Sequence, residues 1–318
     1  MIAIQFDRHG PSTVLSLAER GTPAVPAGRV LVHVRAAGVS PVDVTLRAGG
    51  TPLAASLALP HITGIDAAGV VVGIGAGASD VALGDEVFGT VQLTEFGGAA
   101  AEYAVLAEWG PKPAAWSWAE AGAAGSAVET ATRALDLLDI VPGAVVIVEG
   151  AAGGVGSMAA QLAAARGARV FGTARDESLH IVASLPGVTA VRAGRDWRDT
   201  FGPLGIDRAD AALDASGAGV LGALVRATGS PDTVVTIADQ TAAEHGVRLT
   251  RGVLAGESTG NHGLRSLAAL TERADVRVLL RGSYPFGEAA AAHAAAEVRP
   301  RWGKIALIND QPETAQSH

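Results

Sequence analysis

Glu149-Gly150-Ala151-Ala152-Gly153-Gly154-Val155-Gly156 follows the apolar run Ala144–Glu149, AVVIVE, and leads into an Ala-rich stretch with helical spacing from about Ser157 to Arg166. Strand, glycine-rich turn and helix in that order are what a dinucleotide-binding turn requires. Gly153 lets backbone approach a pyrophosphate, and Gly156 lets the helix pack closely on the sheet. The helix start offers unpaired N–H groups and a partial positive charge to the anion. Ala151 stands where the first glycine of the G-x-G-x-x-G pattern would be. Contacts with the dinucleotide are therefore expected from Ala151, Ala152, Gly153, Gly154, Val155 and Gly156.

The alternation continues beyond the turn. Ala168–Thr173 reads as a strand, Glu177–Leu185 as a helix, and Val188–Arg192 and Ala209–Asp214 as strands. Val220–Ala227 reads as a helix and Thr233–Ala238 as a strand. Repeated strand and helix predict a doubly wound parallel sheet of the α/β class. Upstream, Glu120–Asp139 has the spacing of one helix. Residues 1–118 carry short apolar runs, Val30–Ala36, Gly69–Ile74, Asp85–Val91 and Ala101–Val105, punctuated by Gly and Pro as in a small barrel. Downstream the pattern is mixed: helix Leu264–Arg273, strand Val276–Leu280, helix Phe286–Glu297, strand Lys304–Ile308, and a loose polar end from Asn309. The expected units are 1–119 with 255–318, and a dinucleotide-binding unit 120–254.

The end of the second strand selects the cofactor. An NAD site places a carboxylate there, whereas Gly172-Thr173-Ala174-Arg175 has none before Asp176. Arg175 suits a 2′-phosphate through a bidentate fork, with the Thr173 hydroxyl as a second donor, which favours NADPH. Asp214-Ala215-Ser216-Gly217 and Ala238 end later strands at the same carboxyl edge. Ser216 there is either a cofactor contact or a helix cap.

Composition narrows the classes further. With 48% hydrophobic and 18% charged residues the chain is globular. A net charge of −8 without a basic cluster disfavours nucleic acid and anionic membranes as partners. The chain has no cysteine, which removes thiolate chemistry and Cys-built zinc sites, and its eight histidines form no close pair. The start, MIAIQFDRHG, alternates like a strand and lacks the pattern of a signal peptide, and no apolar run is long enough to span a bilayer. A cytoplasmic location is expected.

Further segments carry a family resemblance. They are Gly38-Val39-Ser40-Pro41-Val42-Asp43 with Arg47 and Gly49, Leu59-Pro60 to Gly64-Ile65-Asp66-Ala67-Ala68-Gly69-Val70-Val71, and Gly84-Asp85-Glu86-Val87-Phe88-Gly89. Gly98 to Tyr103, Pro142-Gly143 and Gly303-Lys304 complete the set. Together with the turn, the chain resembles the medium-chain dehydrogenase/reductases, and within them the zinc-independent quinone oxidoreductase (zeta-crystallin-like) branch. The resemblance implies a GroES-like β-barrel domain built from both chain ends, an inserted Rossmann domain and a homodimer. The dimer would pair through an edge strand near Thr233–Ala238 or Val247–Thr250. It implies no zinc, because Ser40 stands where related alcohol dehydrogenases have Cys, and Gly64-Ile65-Asp66 where they have G-H-E.

By motif position the resemblance puts Ser40, Pro41 and Thr130 near the nicotinamide, with a hydroxyl holding the carboxamide or polarising a substrate carbonyl. Lys304 would reach the cofactor or pair with a carboxylate. His61 is a candidate proton donor, or a loop histidine without a role. Two departures stand out. Ser40 replaces the family's usual Asn, and Gly50-Thr51-Pro52 stands where a tyrosine often follows R-x-G. The implied activity is NADPH-dependent hydride transfer to a quinone or α,β-unsaturated carbonyl. A tailoring enoyl reductase of a polyketide-like pathway, and a cofactor-binding protein with a non-redox role, remain open alternatives.

Overall fold

Val145–Glu149 is buried at all five positions, which is why its sequence is continuously apolar rather than alternating. In the computed structural model, which describes residues 1–194, 196–252 and 256–309, it is an inner strand of a six-stranded sheet. The order is Val188–Arg192, Arg169–Ala174, Val145–Glu149, Ala211–Asp214, Val234–Thr236 and Arg248–Leu249, with every pairing parallel. The chain winds outward to one side from Val145–Glu149 and then crosses to Ala211–Asp214 on the other. The topological switch therefore lies between Glu149 and its register partner Asp214. Helix Gly154–Ala165 packs on this sheet with Gly156 to Ala163 all buried, small alanine side chains allowing close approach.

Contacts divide the chain into two units. One is Met1–Ser126 with Leu280–Arg299 and Lys304–His318; the other is Ala127–Leu279 with Pro300–Gly303. The boundary expected at 254/255 falls on residues outside those described, and the described residues from 256 to 279 group with the parallel-sheet unit. The expected polar end from Asn309 also lies, past its first residue, outside the described residues.

The first unit is a GroES-like β domain. Its larger sheet runs Leu280–Pro285, Lys304–Ile308, Val30–Val39, Asp66–Ile74, Glu86–Thr90 and Glu108–Pro111, with Tyr103–Leu106 also paired to Val30–Val39. A smaller sheet joins Ser16–Glu19, Ile2–Phe6 and His61–Ile62. Val30, Val32, Val34, Val71, Leu106, Ile305 and Leu307 fill the core between them. The last strand thus inserts beside one of the first, which builds the domain from both chain ends.

Three expectations are corrected. The single helix over 120–139 is two, Trp118–Gly122 and Gly125–Leu137, broken between two glycines, the weakest helix formers after proline. The strand expected over Val276–Leu280 begins only at Leu280. The Gln161 side-chain amide donates to Arg277 O (2.9 Å) and accepts from Arg277 N (2.8 Å), so a side chain supplies the pairing a neighbouring strand would give. Of the two dimer edges considered, Val234–Thr236 is flanked on both sides and only Arg248–Leu249 is outermost. Among the described residues no helix is long and apolar enough to cross a membrane.

Candidate functional site

Each unit carries a polar centre. In the parallel-sheet unit it is the glycine-rich turn and the strand ends around it. Gly150 has φ +79°, and a β-carbon there would lie 2.9 Å from Ser216 Cβ. A β-carbon on Gly156 would lie 2.2 Å from Gly150 O, so only glycine lets the helix start this close to the turn. Gly153 caps helix Gly154–Ala165, whose first-turn amides have no intrahelical acceptor. Gly303 N donates to Ala152 O (2.8 Å) and braces the turn.

The neighbouring strand ends are organised by buried acids. Asp214 accepts from Ser216 N and Oγ (2.9 Å each), from Gly217 N (3.1 Å) and from Thr236 Oγ1 (2.8 Å). Thr236 Oγ1 in turn accepts from Ala238 N (3.1 Å). Ser216 is thus brought beside Gly150 of the turn and Ala238 beside Gly217, and the Ser216 hydroxyl caps its own loop by accepting from Ala218 N (3.1 Å). Burial pushes the Glu149 carboxyl up, the Thr173 hydroxyl draws it back, and Asp214 raises it further.

Thr173 is 1% exposed, and its Oγ1 accepts from Gly150 N (3.0 Å), so its hydroxyl braces the turn. Arg175 is exposed at the start of helix Asp176–Ala183. The sequence reading missed Arg192, the register neighbour of Ala174, which forms an ion pair with Asp176. The carboxylate nearest the end of the second strand is therefore neutralised, and two guanidinium groups stand at that edge. Only a register between strands distant in sequence reveals Arg192.

Thr130 lies half-buried on helix Gly125–Leu137. Its hydroxyl donates to Glu129 Oε2 (3.0 Å) and accepts from Arg133 Nη2 (3.3 Å). The Glu129–Arg133 pair was also missed, although its i,i+4 spacing is legible.

In the β unit, Ser40 and Lys304 come together around Asp66. Lys304 Nζ donates to Ser40 Oγ (2.7 Å) and Asp66 Oδ2 (3.0 Å), and Ser40 Oγ donates to Asp66 Oδ2 (3.0 Å). Ser126 adds its N–H to Asp66 Oδ1 (2.6 Å) and its hydroxyl to Oδ2 (2.8 Å). Asp66 is fully buried, while Ser40 and Lys304 are 4% and 7% exposed. Lys304 thus takes the carboxylate-pairing alternative. Ser40 and Pro41 start helix Pro41–Ala48, where Asp43 Oδ2 accepts from Ser40 N (2.7 Å). Burial pushes Asp43 up to about 7. The Ser40 amide opposes this, Asp66 adds to it, and Lys304 and the Gly64 amide draw it down.

His61 is not part of this centre. It packs on the Phe6 ring, and burial together with nearby His9 lowers it to about 4. It is therefore held in the neutral form at physiological pH. Thr51, standing in the tyrosine position, caps helix Pro52–Ala55 by accepting from Ala54 N (3.1 Å).

Residues 26–113 match the alcohol dehydrogenase GroES-like domain, and residues 188–307 match the zinc-binding dehydrogenase family. The chain is 35% identical to the quinone oxidoreductase of Rattus norvegicus over 175 residues, 54% of this chain and 52% of that protein. It is 34% identical to the chloroplastic NADPH-dependent alkenal/one oxidoreductase of Arabidopsis thaliana over 195 residues, 58% and 50% of the two chains. The chain spans about half the length of these curated relatives. An alcohol dehydrogenase superfamily protein from Novosphingobium aromaticivorans superposes with a TM-score of 0.84 at 30% identity, covering 98% of this chain and all of that one.

The donor set here does not fit zinc. Among the described residues no three His, Cys, Asp or Glu side chains are grouped for a metal. An ammonium already rests on the Ser40 and Asp66 oxygens, the positions a cation would need. The glycine-rich turn, by contrast, fits a dinucleotide.

Proposed function

The chain belongs to the medium-chain dehydrogenase/reductase superfamily, in its quinone oxidoreductase-like branch, and on that basis we propose that it is a zinc-free, NADPH-dependent reductase of quinones or α,β-unsaturated carbonyls. The observation that carries the reading is the pairing of a turn that requires glycine at Gly150 and Gly156 with a strand end where Arg175 and Arg192 stand and Asp176 is held in an ion pair. The names of the rat and Arabidopsis relatives support the acceptor class.

When bound, the dinucleotide supplies the hydride; the chain's residues hold, orient and donate. The turn and helix start take the pyrophosphate. Arg175 and Arg192 take the 2′-phosphate. Ser40 Oγ, accepting from the Lys304 ammonium, is a strengthened donor. Its proton turns from Asp66 Oδ2 to the acceptor's carbonyl oxygen as negative charge develops there, while Asp66 keeps Lys304 and Ser126. Homodimer formation would use the open edge of Arg248–Leu249.

The test is consumption of reduced dinucleotide with a panel of small quinones and enones. We expect turnover with NADPH preferred over NADH. Arg175→Ala reduces that preference by roughly tenfold or more, since a charged hydrogen bond contributes about 1.5–3 kcal/mol. Equal use of NADH and NADPH by the parent protein refutes the phosphate assignment. Tight NADPH binding without turnover on the whole panel refutes the acceptor class.

A further inference from the structure

Glu149 closes the strand Val145–Glu149 and stands directly before Gly150 of the turn. It is 6% exposed, and its register partner across the topological switch is the fully buried Asp214. Two carboxyl groups therefore lie on adjacent strands at the edge of the sheet where the turn opens. The Thr173 hydroxyl ties one of them to the turn. It accepts from Gly150 N (3.0 Å) and gives its own proton to the Glu149 carboxyl. A single bridging hydroxyl thus connects that carboxyl to an amide of the turn.

The two acids are not equivalent. Asp214 accepts four hydrogen bonds, from Ser216 N and Oγ, Gly217 N and Thr236 Oγ1, a role that suits a carboxylate. Glu149 has the Thr173 donor, and among the described residues no cation acts on it. The elements packed most closely on its strand are Arg169–Ala174, Ala211–Asp214 and Gly154–Ala165. Arg169 pairs with Val145 at the far end of the strand, and the helix contains no charged residue. Asp214 is the charge that reaches Glu149. Burial and Asp214 outweigh the Thr173 hydroxyl and push the Glu149 carboxyl above its ordinary value. A pyrophosphate held by the turn brings further negative charge to a carboxyl whose ionised form is already disfavoured.

We propose that Glu149 takes up a proton when the dinucleotide binds, so that pyrophosphate and proton enter this unit together and Glu149 sets the pH range over which the cofactor is held. The proton comes from solvent, settles on one carboxyl oxygen and leaves the other to accept from Thr173. This rests on the dinucleotide reading above. The sign follows from linkage: the carboxyl gives up its proton at lower pH in the free protein than in the complex. Affinity is therefore full at low pH, falls as pH rises through that interval, and levels off above it.

The probe is adenosine 5′-diphosphoribose, which carries the pyrophosphate but not the 2′-phosphate, a monoester that itself titrates near about pH 6. Titration calorimetry in two buffers of different ionisation enthalpy, at intervals from pH 5 to 8, reads proton uptake in the parent protein directly. We expect uptake of a fraction of a proton within a limited interval, and binding about tenfold weaker above it, the ratio that moving the carboxyl's titration by one pH unit produces. Glu149→Gln keeps an acceptor for Thr173 and removes the titration. It should bind without uptake and, at pH 8, more tightly than the parent by a similar factor. Absence of uptake in the parent throughout this range, or equal uptake in Glu149→Gln, overturns the inference and leaves the dinucleotide reading standing. Failure of the parent to bind both this probe and NADPH overturns that reading and this one with it.

Discussion

Lys304→Met is expected to destabilise the β unit by about 3–5 kcal/mol, the usual cost of stranding a buried charge. Among the described residues Lys304 is the only cation bonded to Asp66, which is fully buried, and Asp43 lies close enough for the two carboxylates to repel. Methionine matches the stem of lysine, so the loss reflects charge and not volume. The matched change Asp66→Asn/Lys304→Met leaves neither partner of this pair as a buried ion and should recover more than half of the loss. With two compact units the chain is not expected to unfold in one step. Amide exchange within Asp66–Ile74, inside the β unit, is therefore the measurement to make. Parent-like protection of this strand in Lys304→Met would mean that water already reaches Asp66 and that the ion pair is not a buried one.

Mild acid is expected to loosen the same unit. His61 and His293 are both buried and both lowered to about 4 from 6.5, His61 by burial and His9, His293 by burial and the charge of Arg47. Unfolded, each ring binds a proton below about pH 6.5; folded, it does not until about pH 4. Each therefore contributes stability that is full above pH 6.5 and is lost as pH falls toward 4, by about 1.4 kcal/mol per pH unit at most. Asp43 works in the opposite sense. Its folded value near 7 exceeds its unfolded value, so its contribution is present at low pH and fades as pH rises from about 4 to 7. Two rings outweigh one carboxyl, and stability should peak near pH 6.5. Melting temperatures at pH 7 and pH 5 should differ clearly in the parent. His293→Leu, which fills a site where neither ring nitrogen has a hydrogen-bond partner among the described residues, should flatten the slope. Identical pH slopes in parent and His293→Leu would exclude His293 as a source.

Periodicity and turn chemistry made the parallel sheet readable. Val188–Arg192 and Lys304–Ile308 were located to the residue because short apolar runs bounded by turns admit one register. What stayed hidden depended on contacts far apart in sequence. Nothing local to Val276–Leu280 says that the Gln161 amide replaces a strand partner. Ser40, Asp66 and Lys304 appear in three separate motifs, and only the pairing of Lys304–Ile308 with Val30–Val39 brings them together. The surroundings of Thr173 and His61 stayed hidden for one reason: a sequence window shows neither the Gly150 amide that engages the hydroxyl nor the burial that lowers the imidazole. The Glu129–Arg133 pair was within reach from its spacing; its attachment to Thr250 and Gly260 was not.

The strand Lys304–Ile308 is the last part of its sheet to leave the ribosome, whereas Val30–Val39, against which it pairs, is among the first. By then every strand of the parallel sheet, from Val145 to Leu249, has already been synthesised. A nascent chain therefore passes through a stage in which the parallel-sheet unit can assemble while the β unit waits, one flank of Val30–Val39 unzipped and Asp66 without its counter-ion. Stalled or prematurely terminated chains would present that open edge to other polypeptides. Loss of the stretch Lys304–Ile308 should thus turn a folded product into a chaperone client.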